Sequence, residues 1–186
     1  YLLIWASSKD RLYISCARSI VNQGDIFQYL IPTSEPNPNW KNLDFDDSNW
    51  LQGGSGFGYD DGDDETITPD GTLSVYLRKP FNISDLQSLN SLILDIDYDD
   101  AFVAYINGIE VARANINGSP PAYNSGTIQD HEALMYNGGF PERFIITDLS
   151  TVLIEGENIL TIQGHNISNT SSDFTLIPFL SAVFSS

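Results

Sequence analysis

Five carboxylates fall within six residues, Asp60, Asp61, Asp63, Asp64 and Glu65, with Asp70 close behind. Acids this crowded repel one another unless a cation or solvent relieves them. Calcium takes roughly six to eight oxygen ligands from carboxylates, backbone carbonyls and water, and Gly62 permits a sharp turn through the cluster. The spacing is not that of an EF-hand. The alternatives are therefore a calcium loop of another kind or a solvated acidic loop. The expectation is a structural calcium held by Asp60, Asp61, Asp63 and Asp64, with Thr66 or Asp173 completing the shell if the last strand runs beside the loop.

A second acidic group is Asp95, Asp97, Asp99 and Asp100. Asp95 and Asp97 share one face of a strand, expected at solvent or at a ligand rim. Asp99 and Asp100 suit three roles: turn carboxylates accepting backbone N–H groups, contacts to sugar hydroxyls, or a second metal site. Sugar sites combine an aromatic face with carboxylates or amides. Among the loop and hairpin tyrosines, Tyr123 and Tyr136 lie in a polar segment rich in Pro and Gly and are the best exposed candidates. The carbohydrate-binding set is thus Tyr123, Tyr136, Asp99, Asp100 and Asn166. His165 with Ser171, Ser172 and Asp173 has the residue types of a hydrolase triad. No Gly-x-Ser-x-Gly elbow accompanies it, and a structural histidine fits better. Nothing isolates an acid and a base from 25 acidic residues, and two histidines with one cysteine do not make a zinc site.

The elements that must position these groups are strands. Asp outnumbers Glu 18 to 7 beside 15 Asn, a bias toward turns and away from helices. Ile, Val, Tyr, Phe and Thr supply the strand formers. The 186 residues suit one domain, and 41% hydrophobic content allows a core. A net charge of −17 makes nucleic acid and anionic membranes poor partners. No apolar run approaches the roughly 20 residues that span a bilayer. A single cysteine, Cys16, excludes an internal disulfide.

Strands are predicted at 1–7, 12–21 and 26–32, with SKDR as a turn between the first two. A short helical turn is expected at 44–50, and Trp40, Phe45 and Trp50 as an aromatic cluster over one end of the core. Residues 53–71 read as a loop of about twenty residues, a length that is usually functional. Further strands follow at 75–83, 91–98, 143–149, 158–167 and 174–184, with a helical turn before Gly156. Asn107-Gly108 is the preferred pair for a type I′ hairpin turn, because both central residues need positive φ. Residues 118–139 form a second long polar loop. Eight or nine strands with little helix predict an all-β sandwich or barrel, here a jelly-roll β-sandwich with long loops.

The order of the segments at 40–50, 55–66, 75–83, 97–113, 155–166 and 171–180 resembles a galactose-binding-domain-like jelly roll, as in modules of secreted bacterial multidomain proteins. It is more distantly similar to the sugar-binding domain of family 2 glycoside hydrolases. Asp99-Asp100 is followed by Ala101 where that family usually has Gly, so the turn is expected to need no positive φ. YLLIWASSKDR resembles the end of a lamin-tail-type domain, which with the start at Tyr1 suggests a piece of a longer protein. Residues 1–23 are then a lead-in strand or a remnant of a preceding domain, and 24–186 the jelly roll. The resemblance implies a non-catalytic, calcium-stabilised accessory module, extracellular or at the cell surface. Its partners would be a glycan or cell-surface polysaccharide and other domains of the same chain. The alternative is a structural or protein-interaction module with no glycan site.

Overall fold

The computed structural model describes residues 2–6 and 12–185, with side chains from residue 17 onward. Period-two alternation decides the layers. Leu92, Leu94 and Ile96 of β8 (Leu89–Asp99) and Phe174, Leu176 and Leu180 of β13 (Phe174–Phe184) enter the core. They pack with Val75 and Leu77 of β7 (Ser74–Ile83), Phe102, Ala104 and Ile106 of β9 (Ala101–Ile106), and Leu160 and Ile162 of β12 (Gly156–His165). Gly164 belongs to the same layer, and a side chain there would collide with Leu176.

The first sheet runs β1 (Leu2–Ala6), β2 (Leu12–Val21), β13, β5 (Phe57–Tyr59), β6 (Thr66–Ile67), with β8 on the other side of β13 and β11 (Glu142–Ile146) beyond it. The second runs β10 (Ile109–Ala114), β9, β12, β7, β3 (Ile26–Leu30), β4 (Leu51–Gly54). Together they form a jelly-roll β-sandwich. Cys16–Val21 of β2 pairs along β13, while the SKDR turn lies outside the described residues.

Asn107 and Gly108 turn β9 into β10 with φ of 51° and 84°, the positive values that pair was chosen for. The turn is tied down by Asn158. Its Oδ1 accepts from Asn107 Nδ2 at 2.7 Å and from Ile154 N at 2.9 Å, and its Nδ2 donates to the carbonyls of Ile154 and Gly156. Truncating this fully buried amide strands several of those groups. Asn158→Ala is expected to cost about 2 kcal/mol, read as a fall of roughly 4–8 °C in melting temperature.

Local structure departs from expectation in three places. The helical turn lies at Pro38–Lys41 and not at 44–50, because the Asn37 side chain caps Asn39 N at 3.0 Å and Pro38 favours the first turn. The twenty-residue loop contains β5 and β6, since Phe57 and Tyr59 are buried and pair with β13. The Trp40, Phe45 and Trp50 cluster covers the outer face of the second sheet, against Tyr76, Val103 and Tyr105, and not an end of the core.

Candidate metal centre where two loops meet

The outer face of the first sheet carries Asp95, Asp97 and Asp99 on β8 beside Phe179, Ile177 and Thr175 on β13. The long segments before β7 and before β11 both fold onto this face. Asp60 begins the first turn with φ of 73°, followed by Gly62 at 87°. The chain then lies flat on β5, where a side chain on Gly58 would strike the Asp64 carboxylate and the Phe174 carbonyl.

This brings Asp61, Asp63 and Asp64 together, one carboxylate oxygen of each lying within 4.8 Å of the others. Asp61 Oδ2 accepts from the buried Thr175 hydroxyl. Four further oxygens, Asp61 Oδ1, Asp63 Oδ1 and both of Asp64, are buried without a hydrogen-bond partner. Burial, reinforced by the charge of Asp61, pushes the Asp64 carboxyl up to about 9 and the Asp63 carboxyl to about 6. Oxygen atoms gathered, dry and unpartnered suit a hard cation. Asp60 is exposed and stands outside the group. Thr66 donates to the Gly54 carbonyl at 2.7 Å.

Asp173 stands apart from these three and gathers with Asp99 and Glu132, again with one oxygen of each within 4.8 Å. Burial, then the neighbouring Asp100, raises the Asp99 carboxyl to about 9. Asp100 itself is buried and holds backbone, accepting from His131 N at 2.8 Å and Ile167 N at 2.7 Å. Asn166 is buried too, donating to Tyr59 and to the Asp173 carbonyl. Both side chains, expected at a sugar, therefore sit inside the loop network. Ala101 has no positive φ, as its turn requires.

Asp97, expected at the surface, is buried and accepts from Leu134 N and Met135 N, both at 2.8 Å. It anchors the second loop, helped by the His131 ring stacked on Tyr98 at 4.1 Å between centroids. Asp95 holds Arg143 through two bonds of 2.7 and 3.0 Å. The tyrosine candidates separate. Tyr123 packs half-buried on the aromatic cluster of the second sheet, whereas Tyr136 is exposed in the turn Met135–Asn137 over the first. Thr175 and Glu132 were not singled out from sequence. For Asp97 the only available signal was its strand face, and that pointed to solvent.

His165 is fully buried, with Nδ1 on the Ser125 carbonyl at 3.1 Å and Nε2 unpartnered. It has no serine hydroxyl bound to its ring among its hydrogen-bond partners, and burial lowers it to about 4.

Neither a protein-family model nor a curated protein sequence matches the chain. Solved structures do match its fold. An uncultured Clostridium sp. β-glucuronidase aligns with a TM-score of 0.55 at 15% identity, covering 100% of this chain and 31% of the enzyme. A β-glucuronidase from glycoside hydrolase family 2 aligns at 0.52 and 14%, covering 89% of this chain and 18% of the enzyme. A calcium-binding mutant of Bacteroides uniformis β-glucuronidase 2 aligns at 0.50 and 13%, covering 90% and 18%. At these identities the likeness is one of fold: the chain has the β-sandwich architecture of a part of family 2 β-glucuronidases that spans under a third of their length.

Proposed function

We propose that this chain is a non-catalytic, carbohydrate-binding accessory module of a secreted multidomain protein, stiffened by one structural calcium ion. Residues 1–23 serve as its lead-in. The observation that carries the metal is the set of four buried, unpartnered oxygens on Asp61, Asp63 and Asp64. Buried without a partner, such oxygens cost about 1–3 kcal/mol each, whereas a divalent ion satisfies them together. The ion holds the acidic loop on β5 and β13 and does no chemistry. The likeness to only a fraction of each glycosidase supports a binding role. The fold of sugar-processing enzymes supports a glycan as the ligand.

Calorimetric titration with calcium chloride at pH 7.5, in two buffers of different ionisation heat, tests the metal. One ion per chain is expected, with net release of about one proton, because the Asp64 carboxyl raised to about 9 must ionise to ligate. Absence of binding by calorimetry and by equilibrium dialysis removes calcium from the proposal.

A further inference from the structure

We infer that the glycan site is a groove on the outer face of the first sheet, lined by Phe140, Phe179, Met135 and the Arg143–Asp95 pair, and shaped to take a neutral pyranose. This deepens the function proposed above and rests on it.

The groove encloses ≈ 730 Å³, within the roughly 300–1,000 Å³ usual for ligand pockets. Phe140 is 84% exposed, the most exposed large apolar side chain among the described residues. With Phe179 and Met135 it supplies the apolar surface that the C–H face of a sugar ring needs. The polar wall is ordered in advance. Arg143 uses Nε and one terminal nitrogen on the two oxygens of Asp95, leaving its other terminal nitrogen to donate and spare lone pairs on Asp95 to accept. A locked fork offering a donor beside an acceptor matches two adjacent hydroxyls. Ser181 and Asn22 add a hydroxyl and an amide.

Charge selects the occupant. The groove-lining set holds one Arg and one Asp and so is neutral, inside a chain of net charge −17. A polyanion is repelled by the surroundings, and a polycation is drawn to the acidic loops. A neutral polyhydroxylated ligand meets neither obstacle. The groove also depends on the metal centre. Met135 N donates to Asp97, the buried carboxylate whose charge also acts on Asp63 and Asp64.

The test is native gel retardation in soluble polysaccharides: a mixed-linkage β-glucan, a xylan, a galactan and a galactomannan, with polygalacturonate as the anionic control, each with calcium and with chelator. Retardation is expected in at least one neutral polysaccharide and not in polygalacturonate, weaker in chelator. Phe140→Ala, exposed enough to leave folding intact, should weaken it roughly 10- to 30-fold, and Arg143→Lys by about tenfold, while Tyr123→Phe leaves it unchanged. Melting curves confirm that each variant is folded. If no polysaccharide retards the wild type, the groove and the glycan function both fall. If retardation persists undiminished in Phe140→Ala, the groove falls and the glycan function stands. Retardation by polygalacturonate overturns the selection by charge.

Discussion

Stripped of cations, the protein is expected to melt at progressively lower temperature as pH rises from 6.5 to 9, and calcium should make that slope shallower. The cause lies in Asp64 and Asp99. Each is raised to about 9 in the folded state, against 3.8 for an unperturbed carboxyl. Across this window the unfolded chain is ionised at both positions and the folded chain is largely protonated, so folding must take up protons that become scarcer. Stability therefore falls with pH, by at most about 1.4 kcal/mol per unit for each group and about half that after solvent screening.

His165 acts with the opposite sign in a separate window. Lowered from 6.5 to about 4, it stays neutral when folded while the unfolded state protonates, so its stabilisation is lost as pH falls below 6.5. Working above 6.5 keeps the two effects apart. Calcium at 100 times its Kd adds about 2.7 kcal/mol, a shift of roughly 5–10 °C at this size. It also ionises its ligands, which removes the Asp64 share of the slope. Asp63→Asn with Asp64→Asn should raise the metal-free melting temperature at pH 8 and abolish the calcium response. Scanning calorimetry reads both, and a calcium shift that survives in the double variant would place the ion elsewhere.

Arg78 is expected to be the most sensitive side chain in the molecule outside the core. It is 2% exposed, on the outer face of the second sheet. Its Nε meets Asp47 Oδ2 at 2.7 Å, and its terminal nitrogens donate to the carbonyls of Trp40, Asn42 and Phe45, with the Phe45 ring 5.1 Å from the guanidinium carbon. One planar fork thus gathers the backbone of residues 40–45, a stretch without strand partners of its own. Arg78→Ala leaves these carbonyls and Asp47 unpaired beneath the aromatic cluster, at a cost of about 3–5 kcal/mol. That corresponds to a fall of roughly 6–20 °C in melting temperature. Arg78→Lys keeps the charge but not the fork and should lose about half as much. Tryptophan emission should shift to the red in both variants, because Trp40 and Trp50 pack in that cluster. A lysine variant as stable as the wild type would show that the fork geometry is unimportant.

The strands, the Asn107-Gly108 turn and the acidic loop were legible in the sequence because each is written within a few residues. Alternation of Leu92, Leu94 and Ile96 with Ile93, Asp95 and Asp97 names the buried face without reference to any other segment. The same pattern misled for Asp97, since alternation says which side of a strand a residue takes and not whether a loop later covers that side. It was silent on Arg78, which reads as an ordinary charge on a strand until its four oxygen partners are seen to come from residues 40–47.

The sequence alone determined that Asp61, Asp63 and Asp64 would crowd, because chain connectivity forces near neighbours together around Gly62. Only the tertiary structure decided that their oxygens would be dry, and that Asp173 would stand with Asp99 and Glu132 instead of joining them. Those outcomes follow from the register of β13 between β5 and β8, which sets Thr175 opposite both Gly58 and Asp99. Register is fixed by burying apolar side chains across the whole sandwich, so it depends on residues far apart in the chain and leaves no local trace.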